Sequence, residues 1–361
     1  MFLKTLYLHQ FRNYREAYFD FGQSLNLICG TNAQGKTTVL EAIHTLMSGY
    51  SFRPGLQQDL IHSGCNACYF ETLFTKHGVD QKLQYYLSEK ERKITHNHTP
   101  LSGISGLPGL IQGVIMTPDD ALLVKGSPLL RRQFLDEQIS QIDPLYVHFL
   151  SRYSKAMRHR NQLLKQKRLP SIESWEHEMA RASAYIVLKR LSIIKILQMH
   201  ANAFYNYLTK EREDLSLRYC SSASGYQTEE EIKIFYLSQF EKNRPREVMI
   251  GHTLTGPHKD DIWIGIGGRD ARFFASEGQQ RSCVIALRMG EWKCLEQISN
   301  EIPLLMIDDV GMGLDAQRRE RLIQRIASLG QVFLTTTDAD LLNTHQGEKK
   351  MILLPLYCNN L

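Results

Sequence analysis

The chemistry of this chain concentrates first in Gly30-Thr31-Asn32-Ala33-Gln34-Gly35-Lys36-Thr37-Thr38. These residues fit G-x-x-x-x-G-K-[ST], the phosphate-binding loop of nucleoside triphosphatases. Each type has a task. Glycines let backbone N–H groups approach phosphate oxygens, and a following helix N-terminus favours their charge. Lys36 adds a point charge, and the Thr37 hydroxyl is an oxygen ligand for Mg²⁺. Gly30 to Thr38 are therefore assigned to a triphosphate. Much later, Leu304-Leu305-Met306-Ile307-Asp308-Asp309 is an apolar run ending in two carboxylates. A buried strand of this kind delivers its acids to the C-terminal edge of a sheet, where nucleotide sites form. Asp308 is then the second Mg²⁺ ligand, beside Thr37. Asp309 orients or deprotonates an attacking water, and Lys36 and Asp309 are the candidate catalytic residues.

A third constellation lies between them, Phe274-Ala275-Ser276-Glu277-Gly278-Gln279-Gln280-Arg281. It offers a hydroxyl, flexible backbone and N–H donors where a helix begins. Ser276 could serve only as a helix cap. The alternative is a second anion site at Ser276, Gly278 and Gln279. One chain already holds a complete phosphate loop, so that site is most useful on a nucleotide held by a second copy. An ATP sandwich between two copies has that geometry.

The elements around these motifs follow from periodicity. Ser24 to Cys29 reads as a buried strand entering the loop, and Val39, Leu40, Ala42, Ile43, Leu46 and Met47 recur at helical spacing after it. Phe70–Phe74 and Leu83–Tyr86 alternate as strands, and Val114–Met116 reads as a core strand running into a helix start at Thr117-Pro118-Asp119-Asp120. From Pro128 to about Asn243 helical periodicity dominates, with few strand signals. Tyr146–Arg168 and Trp175–Leu208 suggest an antiparallel helical hairpin broken at Pro170. Strands return after Val248. Asp261–Ile266 enters the turn Gly267-Gly268, and Ala271–Ala275 is expected as the returning strand. A helix from Gly278, a strand at Leu304–Ile307, a helix from Ala316 and a strand at Gln331–Thr336 follow. This alternation implies an α/β fold with a largely parallel sheet.

The chain has 361 residues, 43% of them hydrophobic and 22% charged, as in a soluble globular protein of about two domains. The net charge of +5 permits contact with a polyanion without establishing it. Lys155, Arg158, Arg160, Lys165, Lys167 and Arg168 form the densest basic cluster, suited to a DNA backbone or to a solvated helix face. Base-reading motifs are not visible, so DNA contact should be backbone-directed. Arg53 could reach a phosphate of ATP or DNA, or be an ordinary exposed arginine. His258-Lys259-Asp260-Asp261 reads as a polar turn before a strand rather than a metal site. The cysteines Cys29, Cys65, Cys68, Cys220, Cys283, Cys294 and Cys358 are scattered, which suits a reducing cytoplasm. Cys29 and Cys283 read as core residues, and Cys65-Asn66-Ala67-Cys68 lacks a second pair for zinc. No apolar run is long enough to span a bilayer, and no membrane partner is expected.

The order of phosphate loop, Ser276 signature, Asp308-Asp309 and Gly313-Leu314-Asp315 resembles the ABC-type ATPases of the SMC group. More narrowly it resembles the RecF family of bacterial DNA repair proteins. Further matching stretches are Phe11-Arg12-Asn13-Tyr14, Leu40-Glu41-Ala42-Ile43, Val124-Lys125-Gly126-Ser127-Pro128 and Arg131-Arg132-Gln133-Phe134-Leu135-Asp136. Arg160-Asn161-Gln162-Leu163-Leu164-Lys165 and Thr255-Gly256-Pro257-His258-Lys259-Asp260-Asp261 complete them. The resemblance implies an ATPase head with a mostly parallel core sheet, an N-terminal antiparallel β region and an inserted helical arm. The corresponding division is residues 1–122 and 250–361 for the ATPase lobe and 123–249 for the arm. It also implies ATP and Mg²⁺, an ATP-dependent homodimer on single-stranded, double-stranded, gapped or junction DNA, weak DNA-stimulated hydrolysis, and work with RecO and RecR to load recombinase. Three positions depart from the family pattern. Met312-Gly313 stands where Ser-Glu is usual, which removes two polar groups from a segment expected at the dimer interface. Thr38 replaces a common Asn. Thr335-Thr336-Thr337 stands where ABC relatives carry a histidine that senses the γ-phosphate, although RecF-like chains also have threonines there. A transporter-type ABC ATPase and a small-molecule kinase are the rival readings. The helical insertion and the paired Asp argue against the first, and the Ser276 signature would have no role in the second.

Overall fold

The computed structural model describes residues 1–210, 213–309, 313–338 and 348–354. Its centre is a parallel five-stranded sheet ordered β14-β3-β13-β12-β8. The strands are β3 (Leu25–Cys29), β8 (Gly113–Met116), β12 (Leu304–Ile307), β13 (Val332–Thr336) and β14 (Lys349–Leu353), numbered along the chain. Their register is level at one edge: Thr336 pairs with Cys29, and Ile307 pairs with both Leu334 and Met116. All the strand ends therefore reach one rim together. Apolar side chains cover both faces, as a parallel sheet requires. Leu25, Leu27, Leu305, Ile307, Val332 and Leu334 face one core, while Ile28, Leu304, Met306 and Phe333 face the other.

Helix α1 (Lys36–Ser48) packs on the second face, with Val39, Leu40, Ala42, Ile43 and Leu46 fully buried. Each of the Val, Leu and Ile side chains among them is worth roughly 1.5–3 kcal/mol in transfer from water. Beyond it lies a six-stranded antiparallel sheet ordered β2-β1-β4-β5-β6-β7, from β1 (Phe2–Phe11) and β2 (Tyr14–Asp20) through β4 (Ala67–Lys76), β5 (Val79–Ser88), β6 (Arg92–His96) and β7 (Thr99–Pro100). The other face carries α8 (Glu277–Ser299), whose middle is buried from Ser282 to Trp292. The helical segment comprises α2 (Ala121–Lys125), α3 (Pro128–Ser140), α4 (Pro144–Gln166) and α5 (Ile172–Thr209). Asp143 starts α4 by accepting N–H bonds from Leu145 and Tyr146. The break between α4 and α5 falls at Pro170, as the sequence suggests. Among the described residues no helix is long and apolar enough to cross a membrane.

Two expectations about elements need correction. The stretch read as mostly helical contains strand β9 (Leu215–Cys220) before α6 (Glu229–Ile250). β9 pairs antiparallel with β10 (Asp261–Ile266) in a small sheet completed by β11 (Arg269–Asp270). The expected strand at Ala271–Ala275 is a short helix, α7 (Ala271–Phe274), because Asp270 accepts from the Arg272 N–H and turns the chain. The last helix among the described residues, α9 (Ala316–Ile326), lies between β12 and β13.

Candidate nucleotide site

The phosphate loop leaves β3 at Gly30 and enters α1 at Lys36. Gly35 sits at φ +94°, in the left-handed region. A Cβ there would lie 2.7 Å from both Asn13 Nδ2 and the Tyr14 hydroxyl. At Gly30 a Cβ would approach Gln34 Oε1 to 2.5 Å and the Leu354 carbonyl oxygen to 3.1 Å. Inside the loop, Gln34 Oε1 accepts from the Thr31 N–H at 2.7 Å. Helix α1 has no side-chain cap and no acid in its first turn, so its positive end faces the loop without a competing acid from the helix itself. Lys36 Nζ donates to the Gly30 and Thr31 carbonyls at 2.8 and 2.9 Å, which holds the ammonium within the loop.

Thr37 and Asp308 meet across 271 positions of sequence: the Thr37 hydroxyl donates to the Asp308 carboxylate at 2.9 and 3.0 Å. Both are hard oxygen donors. Two cis ligands on an octahedral Mg²⁺ at about 2.1 Å would sit ~3 Å apart, so this pair already has the spacing of one octahedral edge. Asp308 receives a second bond, from the Thr335 hydroxyl at 2.8 Å. The same hydroxyl accepts the Asp309 N–H at 2.9 Å. Asp309 adopts φ +60°, uncommon for a residue with a side chain, and such strain concentrates at functional sites.

These groups line an open cleft of about 930 Å³ with Asn32, Ala33, Gly35, Lys36 and Thr38. Arg12, Arg53, His62 and Thr335–Thr337 line it too. The sequence reading assigned Arg53 no firm place. Arg12 and Glu41, the residue that holds both arginines, stood there only as members of family-matching stretches, without a role in the site. This carboxylate is fully buried on α1. It accepts from Arg12 Nη2 at 2.5 Å, the Ser51 hydroxyl at 2.5 Å and Arg53 Nη1 at 3.4 Å. The available signal was an acid inside the apolar run Val39-Leu40-Glu41-Ala42-Ile43, since a buried charge needs a partner.

Ser276 is not in this cleft. It caps α8: its hydroxyl accepts the Gln279 N–H at 3.2 Å, and Gln279 Oε1 accepts the Ser276 N–H at 2.9 Å. Gln279 Nε2 also reaches Glu213 at 2.7 Å, and Gly278 lies near Arg318. Gly313, at φ +62°, lies beneath Arg281, which donates to its carbonyl at 2.6 Å. Met312 and Cys358 lie outside the described residues. Cys29 and Cys283 are in the core, and burial pushes both thiols up.

The basic cluster needs correction. Arg160 is fully buried and pairs with Glu176 at 2.8 Å and Glu247 at 2.7 Å. It is part of the inside of the arm and cannot meet a DNA backbone. Lys155, Arg158, Lys165, Lys167 and Arg168 are exposed. His258 sits in a short 3₁₀ turn, Pro257–Lys259, before β10, so the polar-turn reading holds.

Comparison with known proteins decides the family. The model of the RecF/RecN/SMC N-terminal domain matches residues 2–353. A DNA replication and repair protein RecF from Protochlamydia amoebophila is 53% identical over 358 residues, covering 99% of this chain and 100% of that one. The chain belongs to the RecF family. A Geobacillus kaustophilus RecF is 35% identical, covering 94% of each chain. A solved structure described as the recombination mediator protein RecF with ATP in the RecFOR pathway superposes with a TM-score of 0.89 at 28% identity. It covers 97% of this chain and 95% of that one. A Pyrococcus furiosus Smc head domain shares the fold, with a TM-score of 0.55 at 15% identity. The transporter reading finds no support among these relatives.

Proposed function

We propose that this chain is an ATP-gated DNA-binding protein of recombinational repair and replication-fork maintenance. The observation that carries the reading is the convergence of Thr37, Asp308 and Thr335 beside an uncapped helix N-terminus. The loop N–H groups from Gly30 to Thr38 and Lys36 bind the phosphates. Thr37 and Asp308 would hold Mg²⁺, which neutralises phosphate charge when bound. Asp309 orients the attacking water, and Lys36 faces the β- and γ-phosphates. Ser276, Gly278 and Gln279, lying outside the cleft of their own chain, close over the nucleotide of a second copy. Binding of ATP thus pairs two copies, and slow hydrolysis releases them. The paired state grips DNA through its backbone, at gaps or junctions, and works with RecO and RecR in a bacterial cytoplasm. The division into an ATPase lobe (1–122 and 250–361) and an arm (123–249) belongs to the same reading.

Size-exclusion chromatography with light scattering, with and without ATP and gapped DNA, tests it. Mass should double only with ATP, and DNA should co-elute with the doubled species. Lys36→Ala should abolish both effects. A wild-type chain that stays single with ATP and DNA present overturns the proposal.

A further inference from the structure

Several family-matching stretches lie away from the nucleotide cleft. Two of these, Arg131–Asp136 and Thr255–Asp261, meet in a buried polar knot where the helical arm joins the small three-stranded sheet. Arg190 of α5 donates to Asp136 of α3 at 2.8 and 3.0 Å and to the Pro257 carbonyl at 2.8 Å. Tyr219 of β9 donates to Asp260 at 2.5 Å, and Arg132 donates to the Asp260 carbonyl at 2.7 Å. Tyr153 of α4 donates to His258 Nδ1 at 2.5 Å, leaving Nε2 to donate to the Thr253 carbonyl at 3.3 Å.

The knot has one exit toward the dimer signature. Arg131 of α3 is 3% exposed and grips Asp261, the first residue of β10, with both prongs, at 2.7 and 2.9 Å. Its remaining nitrogen donates to the carbonyls of Gly126 at 3.0 Å and Leu123 at 3.3 Å. The Gly126 carbonyl also accepts from Arg272 Nη2 at 3.2 Å. Arg272 lies on α7, four positions before Ser276. Its neighbours Phe273 and Phe274 are 72% and 67% exposed. Gly126 has no room for a side chain, since a Cβ would lie 2.4 Å from the Leu122 carbonyl oxygen.

We propose that Asp261, Arg131, the Gly126 carbonyl and Arg272 form a positioning relay that fixes the signature segment Phe273–Ser276 against the base of the arm. The inference rests on the ATP-pairing reading. None of these four residues lines the nucleotide cleft, so the relay acts on pairing and leaves phosphate binding alone. A bidentate arginine–carboxylate fork is directional, and a carbonyl shared by two guanidinium groups transmits that direction to α7. Without the relay, α7 keeps its helix cap from Asp270 but loses its tie to α3. The hydroxyl of Ser276 then meets the second copy out of register.

The test uses the full chain and a slowly hydrolysed ATP analogue. Arg272→Gln removes the outer tie at a half-buried position. It should raise the protein concentration at which the analogue drives pairing at least tenfold, with nucleotide affinity in the single chain within twofold and an unchanged unfolding midpoint. Arg272→Lys keeps one donor for one carbonyl and should recover most of the pairing. Arg131→Gln should act in the same direction from a buried position that no partner can touch. If that variant fails to fold, Asp261→Asn, at a carboxylate 31% exposed, takes its place. If the wild-type chain pairs and Arg272→Gln pairs equally well, the relay is overturned while the pairing reading survives. Loss of pairing in Arg272→Gln that Arg272→Lys does not relieve also overturns it. If the wild-type chain does not pair, the pairing reading and the relay fall together.

Discussion

Replacing Thr335 by valine isolates the group that holds Asp308 in place. The swap exchanges a hydroxyl for a methyl at nearly constant volume, in a side chain that is 1% exposed. Two hydrogen bonds vanish together: the donation to Asp308 Oδ1 at 2.8 Å and the acceptance from the Asp309 N–H at 2.9 Å. A hydrogen bond to a charged acceptor contributes about 1.5–3 kcal/mol. The second loss is smaller, because Asp309 is exposed and water can reach its surroundings. Together they come to roughly 2–4 kcal/mol, a large part of the stability of an ordinary domain. Urea unfolding without nucleotide should show this as a lower midpoint at constant m.

A second readout separates structure from site. With Thr335 gone, Asp308 keeps only Thr37 among the hydroxyl partners just described, and its carboxylate is free to leave the octahedral edge. The Mg²⁺-dependent part of triphosphate affinity should fall by about tenfold, equivalent to ~1.4 kcal/mol. Affinity measured in EDTA rests on the loop N–H groups and Lys36, and should change little. Thr335→Ser retains the hydroxyl and should restore both properties. A valine variant as stable as wild type, with the same Mg²⁺ dependence, would refute the idea that this hydroxyl organises the metal edge.

Asp309→Asn should retain ATP binding and slow hydrolysis by about 10²–10⁴, the usual contribution of a positioned acid–base group. Single-turnover hydrolysis of labelled ATP checks this, and wild-type turnover would remove Asp309 from the reaction. Ser276→Arg should leave nucleotide affinity in the single chain intact and prevent pairing with an ATP analogue, read by light scattering. A variant that still pairs reduces Ser276 to a helix cap. Acid should weaken the fold through His44 and His258, each of whose imidazoles burial lowers from 6.5 to about 4. Both are neutral in the fold, so their stability is fully present above pH 6.5 and is lost as pH falls through 4. The slope is at most about 1.4 kcal/mol per pH unit for each ring. His258→Gln should flatten part of that slope in urea titrations from pH 7 to 4.5, and an unchanged slope would count against the buried neutral ring.

The phosphate loop is legible in the sequence because its constraint is local. Gly35 must reach a left-handed φ, Lys36 must follow it, and both requirements fall within a few neighbouring residues. Strand β12 is legible for a related reason, since four apolar residues followed by acids have few other homes. Thr335 carries no such mark: a threonine at a strand end becomes a ligand support only through the β12–β13 pairing that sets it beside Asp308. Arg160 shows the same limit from the other side. A basic residue among basic residues reads as solvated, and only the packing of α4, α5 and α6 reveals two buried acids, Glu176 and Glu247, waiting for it. Leu215-Ser216-Leu217-Arg218-Tyr219-Cys220 does alternate at period two, but it follows a 38-residue helix that dominates any longer window.

Strand order explains why chemistry from such distant segments comes together. In the order β3-β13-β12, the loop after β3, the threonines ending β13 and the acids after β12 occupy adjacent positions on one rim. Each crossover carries the chain over a helix before it returns, so neighbours on the rim are far apart in sequence. That separation lets Thr37 and Asp308 be fixed by different elements: Thr37 by the packing of α1 against the antiparallel sheet, Asp308 by β12 between its two parallel neighbours. A shift of α1 against β12 would change the 2.9 Å contact between them. The metal edge therefore reports the fit of α1 to β12, and it is complete only when the core they share, with Leu40 and Ile43 on one side and Leu304 and Met306 on the other, has formed.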